Sequence, residues 1–259
     1  MPHVPVGDPR HQARLASRVM RRIKITVAYD GREFHGWQVQ PGLPTIQGVL
    51  ENILSEIEGH HVPVAGSGRT DAGVHALGQV AAFSLENPIP PINLRRAVNR
   101  LLPPAIRVLA VEEVHADFHP RFDAKAKTYE YRIVREEVCS PLEFPYVHHH
   151  PYPLDLDRMH RLARCLEGEH DFTVFAAADE RDAEGRSKVR TVFSSVLEEG
   201  DGRLTYRIRG SGFLKHMVRN VVGTLILAGR GSLESVDELP VKSGPTAPAK
   251  GLFLLSVEY

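Results

Sequence analysis

Cysteine is nearly missing from this chain, with Cys139 and Cys165 alone among 259 residues. Two cysteines give no disulfide framework, so the fold must be held by its core, and free thiols suit a reducing cytosol. No segment is apolar for long enough to span a bilayer, and the first 22 residues contain no apolar run of signal-peptide length. They hold Arg10, Arg14, Arg18, Arg21 and Arg22 instead, which reads as a loose basic arm on a soluble protein. Net charge is also lacking, because 32 basic residues balance 32 acidic ones, and nothing global announces a nucleic-acid partner. At 42% hydrophobic and 25% charged, the chain can bury a sizeable core as one large or two small domains.

Locally the charge is uneven. Between Arg203 and Arg230 lie Arg203, Arg207, Arg209, Lys215, Arg219 and Arg230 without one Asp or Glu. Alternation along a strand puts several of these on one face, either as a basic surface or as a solvated face with partners elsewhere in sequence.

The periodicities are mixed. Ile23, Ile25, Val27 and Tyr29 alternate with polar or small residues as a half-buried strand ended by Asp30-Gly31. Ile46, Val49, Leu50, Ile53, Leu54 and Ile57 recur at helical spacing, with Thr45 as N-cap and Gly59 as the stop. Further helices are expected over 94–102, 156–166 and 213–228, and further strands over 106–114, 128–134, 191–197, 203–209 and from Leu252 to the end. Strand pairs joined by short turns and alternating with helices favour an α+β arrangement over a doubly wound sheet. The halves share no residue-level repeat.

Chemistry concentrates in Gly66-Ser67-Gly68-Arg69-Thr70-Asp71-Ala72-Gly73-Val74-His75-Ala76. Val62 and Val64 before it, and Val80 and Phe83 after it, read as flanking strands that hold one carboxylate, Asp71, at the rim of a sheet. An arginine nearby favours the ionised carboxylate. The loop lacks the Gly-Lys-Ser/Thr ending of a phosphate-binding loop and the third glycine of a dinucleotide fingerprint. A zinc reading pairs Asp71 with His75 but finds no further ligand at helical spacing. The loop chemistry by itself leaves open a catalytic loop or a glycine-rich hairpin with a surface ion pair.

Six ordered motifs bear on that choice: Asp30-Gly31, Phe34-His35-Gly36-Trp37-Gln38, the stretch Gly68 to His75, Phe118-His119-Pro120-Arg121-Phe122, Thr128-Tyr129-Glu130-Tyr131, and His216-Met217-Val218-Arg219-Asn220. Together they resemble the TruA family of transfer-RNA pseudouridine synthases, from about Ile23 to Tyr259. The resemblance implies two similar α/β subdomains with mainly antiparallel sheets around a central RNA-binding cleft, divided as an arm at 1–22, an Asp-loop subdomain at 23–116 and a second at 117–259. It implies a cytoplasmic homodimer that isomerises uridine to pseudouridine at positions 38–40 of the tRNA anticodon stem-loop, with no cofactor and no metal. By the same resemblance Asp71 is the catalytic aspartate, Tyr129 stacks on the target base, and Arg219 partners Asp71. Arg69 holds the flipped nucleotide's phosphate or braces the pocket, and Tyr131 is expected on the other side of its strand.

Trp37 beside Gly36 reads either as a packing residue or as a stacking platform, and His148-His149-His150 as a proline-flanked loop rather than a metal site. The segment 233–240 is short for the helix that the family has before its last strand. The competing classes are a noncatalytic RNA-binding protein, which needs no carboxylate at Asp71, and a metal-dependent hydrolase. A single carboxylate in the loop speaks against glycosidase hydrolysis, which normally uses two.

Overall fold

A computed structural model describes residues 20–179, 185 and 187–259. Most of the basic arm expected over 1–22 lies outside these residues. Its last two arginines are not arm but strand, since Arg21 and Arg22 pair with Leu85 and Ser84.

The strands are β1 (Arg21–Tyr29), β2 (Ala65–Gly66), β3 (His75–Leu85), β4 (Ile106–Val114), β5 (Ala126–Val134), β6 (His148–His149), β7 (Gly168–Asp171), β8 (Val189–Gly200), β9 (Arg203–Gly210) and β10 (Leu252–Glu258). The helices are α1 (Ile46–Glu58), α2 (Pro91–Leu101), α3 (Leu156–Cys165) and α4 (Met217–Gly229). All strands join one sheet in the order β4-β1-β3-β10-β5-β9-β8-β7, with β2 on β3 and β6 on β5. The pairings are antiparallel except β10 with β3 and β5 with β6. The fold is α+β. The last strand sits in the middle of the sheet, between β3 from the first half of the chain and β5 from the second.

The period-two pattern of β9 shows how the sheet is dressed. Leu204, Tyr206 and Ile208 are buried on one face, while Arg203 and Arg207 are exposed on the other and Arg209 is partly so. Cross-strand register continues the buried face through Tyr129 and Tyr131 of β5 to Leu254 and Leu252 of β10, and through Ala76 to Tyr29 of β1. The core includes Ile23, Ile25, Leu50, Leu54, Leu94, Met159, Leu162, Tyr206 and Leu225. Burial of such side chains contributes roughly 1.5–3 kcal/mol each.

Helix α1 begins and ends where its caps dictate: Thr45 Oγ1 accepts from Gly48 N at 3.3 Å, and Gly59 N donates to Ser55 O at 2.8 Å. Three expectations need correction. Val62 and Val64 are not in a ladder, because their N–H groups donate to Ser55 Oγ and Glu51 Oε1 of α1; the strand there is Ala65–Gly66 alone. Helix α2 starts at Pro91 rather than Leu94, with the fixed φ of proline opening the first turn. Helix α4 starts at Met217 rather than Phe213, since His216 has φ 61° and cannot continue a right-handed helix backwards. The segment 233–240 contains no helix.

Candidate active site

Side chains from distant parts of the sheet brace the Asp71 loop. Ser67 Oγ donates to Gln79 Oε1 at 2.6 Å, and Gln79 Nε2 donates to Gly68 O at 3.1 Å. Tyr29 Oη and Thr70 Oγ1 share a buried hydrogen bond of 2.8 Å, while Trp37 N donates to Thr70 O at 3.1 Å. Gly36 has φ 86°, and a β-carbon there would fall 2.5 Å from Thr70 O, so only glycine lets the Gly36-Trp37 bend lie against the loop.

The loop carries Asp71 to one end of α4. Arg219 Nη1 donates to Asp71 Oδ2 at 2.9 Å, and its Nε donates to Ala247 O at 2.8 Å. His216 Nε2 stands 3.6 Å from the same carboxylate oxygen. Oδ1 has no hydrogen-bond partner among the described residues. A guanidinium held at both ends is a rigid counterion that fixes one carboxylate oxygen and leaves the other for chemistry. Asp71 borders a cavity of about 980 Å³, which Trp37, Arg69, Lys127, Tyr129, Phe213 and Arg219 also line.

Tyr129 is buried, with its ring edge-on to Phe213 at 5.1 Å between centroids. Burial pushes its phenol well above the ordinary range, and Tyr29 and Asp71 push it the same way. It stays protonated at neutral pH, with Asp71 close enough to act on it electrostatically. Tyr131 is also buried, and on the same face rather than the other side, because residues two apart in a pleated strand share a face. Its hydroxyl donates to Pro248 O at 2.8 Å, tying β5 to the turn before β10.

Arg69 does not reach Asp71. It lines the cavity with Nε donating to Gln38 Oε1 at 2.9 Å, so the nearby arginine that pairs with the carboxylate is Arg219, 148 residues away, and not the local one. Trp37 is buried 6.2 Å from Tyr29, and a β-carbon on Gly66 would fall 2.5 Å from its indole nitrogen. It is a packing residue at the cavity wall. His148 packs edge-on against Tyr131, and His149 Nε2 pairs with Glu136 O, so adjacent histidines point to different partners.

The basic face read from β9 is a neutralised one. Arg203 pairs with Glu143, Arg207 with Glu130 and Glu198, and Arg209 with Glu258. The cations of the cavity are instead Arg69, Arg121, Lys127, Arg190, Lys215 and Arg219. Lys127 and His216 were missed as site residues. Lys127 lies two residues before Tyr129, and the two-residue period alone could have flagged it.

A model of the tRNA pseudouridine synthase family matches residues 25–123 and 162–259. The chain belongs to that family. Arg69, Asp71 and Arg219 fall inside the matched segments, and Tyr129 falls between them. The chain is 74% identical over 240 residues to tRNA pseudouridine synthase A of Solibacter usitatus, covering 93% of this chain and all of the relative. It is 42% identical over 247 residues to the enzyme of that name from Brevibacillus brevis, again covering 93% of this chain and all of the relative. A chain from the crystal structure of the archaeal box H/ACA sRNP Nop10–Cbf5 complex aligns over 88% of this chain and 46% of its own length, at 14% identity and a TM-score of 0.36. That likeness is too faint to carry an argument. The family isomerises uridine to pseudouridine in tRNA.

Proposed function

We propose that this protein converts uridine to pseudouridine at positions 38–40 of the tRNA anticodon stem-loop, with Asp71 as the catalytic carboxylate. The observation that carries the reading is the Asp71–Arg219 pair at 2.9 Å, set beside Tyr129 on a cavity of about 980 Å³ in a chain of this family.

The reaction breaks the N1–C1′ bond of uridine, turns the freed uracil and forms a C5–C1′ bond; C5 loses a proton and N1 ends with one. No electrons enter or leave, so the isomerisation asks for no redox partner. It needs a carboxylate to attack, or to take a ribose proton, in a closed pocket. Asp71 Oδ1 supplies that group, while Arg219 fixes Oδ2. Tyr129 stacks on the uracil, and its hydroxyl passes on the proton lost from C5. A reacting base must leave the helical stack, and Arg69 braces the wall or holds the phosphate of the flipped nucleotide. The enzyme acts in the cytoplasm as a homodimer. Among the described residues no helix is long and apolar enough to cross a membrane.

The test is pseudouridine formation in an unmodified tRNA transcript, read by carbodiimide adduct and primer extension, with wild type and Asp71→Asn in parallel. Product from wild type alone supports the reading, and product from both removes Asp71 from its role. Binding without product from either points to a noncatalytic RNA-binding protein.

A further inference from the structure

Four cations of the cavity, Arg121, Lys127, Arg190 and Lys215, have no part in the scheme above. Lys127 lies on β5 two residues before Tyr129, so the pleat gives both side chains one face, and both line the cavity. Its ammonium makes a single hydrogen bond among the described residues, Nζ donating to Ser67 O at 2.6 Å, which leaves two of three N–H donors for another acceptor. A β-carbon on Gly68 would stand 3.0 Å from Nζ, so the side chain rests directly against the Asp71 loop.

The charges that act on this ammonium are of its own sign. Arg121 reaches it from the loop between β4 and β5, and Arg190 from β8, and both line the same cavity. No carboxylate pairs with it among the described residues; the other ionisable groups lining the cavity are His35, Arg69, Asp71, Tyr129, Asp179, Lys215, His216 and Arg219. Burial first, and then the two arginines, lower the ammonium to about 8. A half-buried cation crowded by cations is stabilised by an anion placed among them.

We propose that Lys127, together with Arg121 and Arg190, seats a backbone phosphate of the substrate RNA and links that phosphate through Ser67 O to the Asp71 loop. The inference rests on the RNA-modifying reading and deepens it. Lys127 is a positioning residue: it touches the RNA backbone and the loop, not the reacting atoms. A phosphate beside the ammonium favours its charged form, so above the value of about 8 that Lys127 has without RNA, docking takes up a proton.

The experiment measures affinity for an unmodified tRNA transcript between pH 7 and pH 9 for wild type, Lys127→Arg and Lys127→Met. Wild-type affinity is expected to fall about tenfold over this interval, because an ammonium titrating near 8 is mostly neutral one unit above it. Lys127→Arg keeps its charge and holds a flat profile; Lys127→Met binds about tenfold more weakly at pH 7 and is also flat. Wild type and Lys127→Arg falling in parallel overturns the proposal, as does wild-type affinity in Lys127→Met. Should Lys127→Met fail to fold in a thermal melt, the comparison with Lys127→Arg decides. Product formation by wild type at pH 7 is measured alongside. Its absence overturns the functional reading whatever the binding curves show, whereas product with a flat wild-type curve overturns the phosphate seat alone.

Discussion

Arg219 does two things with one guanidinium, since Nε is anchored on Ala247 O and Nη1 on Asp71 Oδ2. A lysine has the charge but cannot make both bonds in that fixed fork. Arg219→Lys is therefore expected to lower kcat for pseudouridine formation by at least about tenfold while leaving KM for tRNA within a few-fold, because the lost interaction orients the reacting carboxylate. Single-turnover rates at saturating enzyme check this, and an unchanged rate constant would show that charge alone suffices. Tyr129→Phe keeps the ring and removes the hydroxyl. If the hydroxyl relays the C5 proton, product formation drops by about a hundredfold or more with tRNA affinity retained.

At the scale of the element, the bend at Gly36 sets the loop. Gly36→Ala asks an L-residue to hold φ 86° with its β-carbon 2.5 Å from Thr70 O. We expect a loss of at least about 2 kcal/mol in chemical denaturation and a still larger loss of activity, since the displaced atom lies one residue from Asp71. Thr45→Ala removes the cap of α1 and should cost about 1 kcal/mol in the same denaturation experiment. These elements were largely legible in sequence. The spacing from Ile46 to Ile57 and the caps at either end are local, and the helix lies where they put it. Val62 and Val64 misled because burial was read as strand pairing, whereas their backbone donors are satisfied by Ser55 and Glu51 of a helix.

Over the whole molecule, charge is sorted by the sheet. The arginines of β9 face glutamates, and the cavity gathers cations from separate elements. Affinity for tRNA should fall with salt, and neutralising Lys215 should lower the slope of log affinity against log salt by about one, while Arg209→Gln, on the paired face, leaves it unchanged. Acid acts on the fold through buried and half-buried histidines. Burial lowers His148 to about 4, and His75 and His150 are depressed for the same reason. The unfolded chain binds these protons near pH 6.5 and the folded one does not, so stability is full above about 6.5 and falls as pH drops toward about 4. Melting temperatures between pH 7 and pH 4 test this, with His148→Gln expected to show a shallower decline.

The division between what sequence and tertiary structure decide follows from separation along the chain. Strand and helix periods, the caps of α1, the six ordered motifs and hence the family are carried by neighbours a few residues apart, and they read correctly without coordinates apart from Val62 and Val64, the starts of α2 and α4, and the face of Tyr131. The partners were not legible in that way, and Arg219 was matched to Asp71 through the family resemblance alone. Arg69 stands two residues from Asp71 yet bonds Gln38, while the arginine on the carboxylate comes from α4, 148 positions on. Arg207 looks unopposed in its own stretch and meets Glu130 77 positions back. Lys127 looks like an ordinary strand lysine until Ser67, Arg121 and Arg190 surround it. Periodicity says which face a side chain takes, but only the closing of the sheet, with β10 seated between β3 and β5, decides which charges meet there, because pairing energies depend on distance in space and not along the chain.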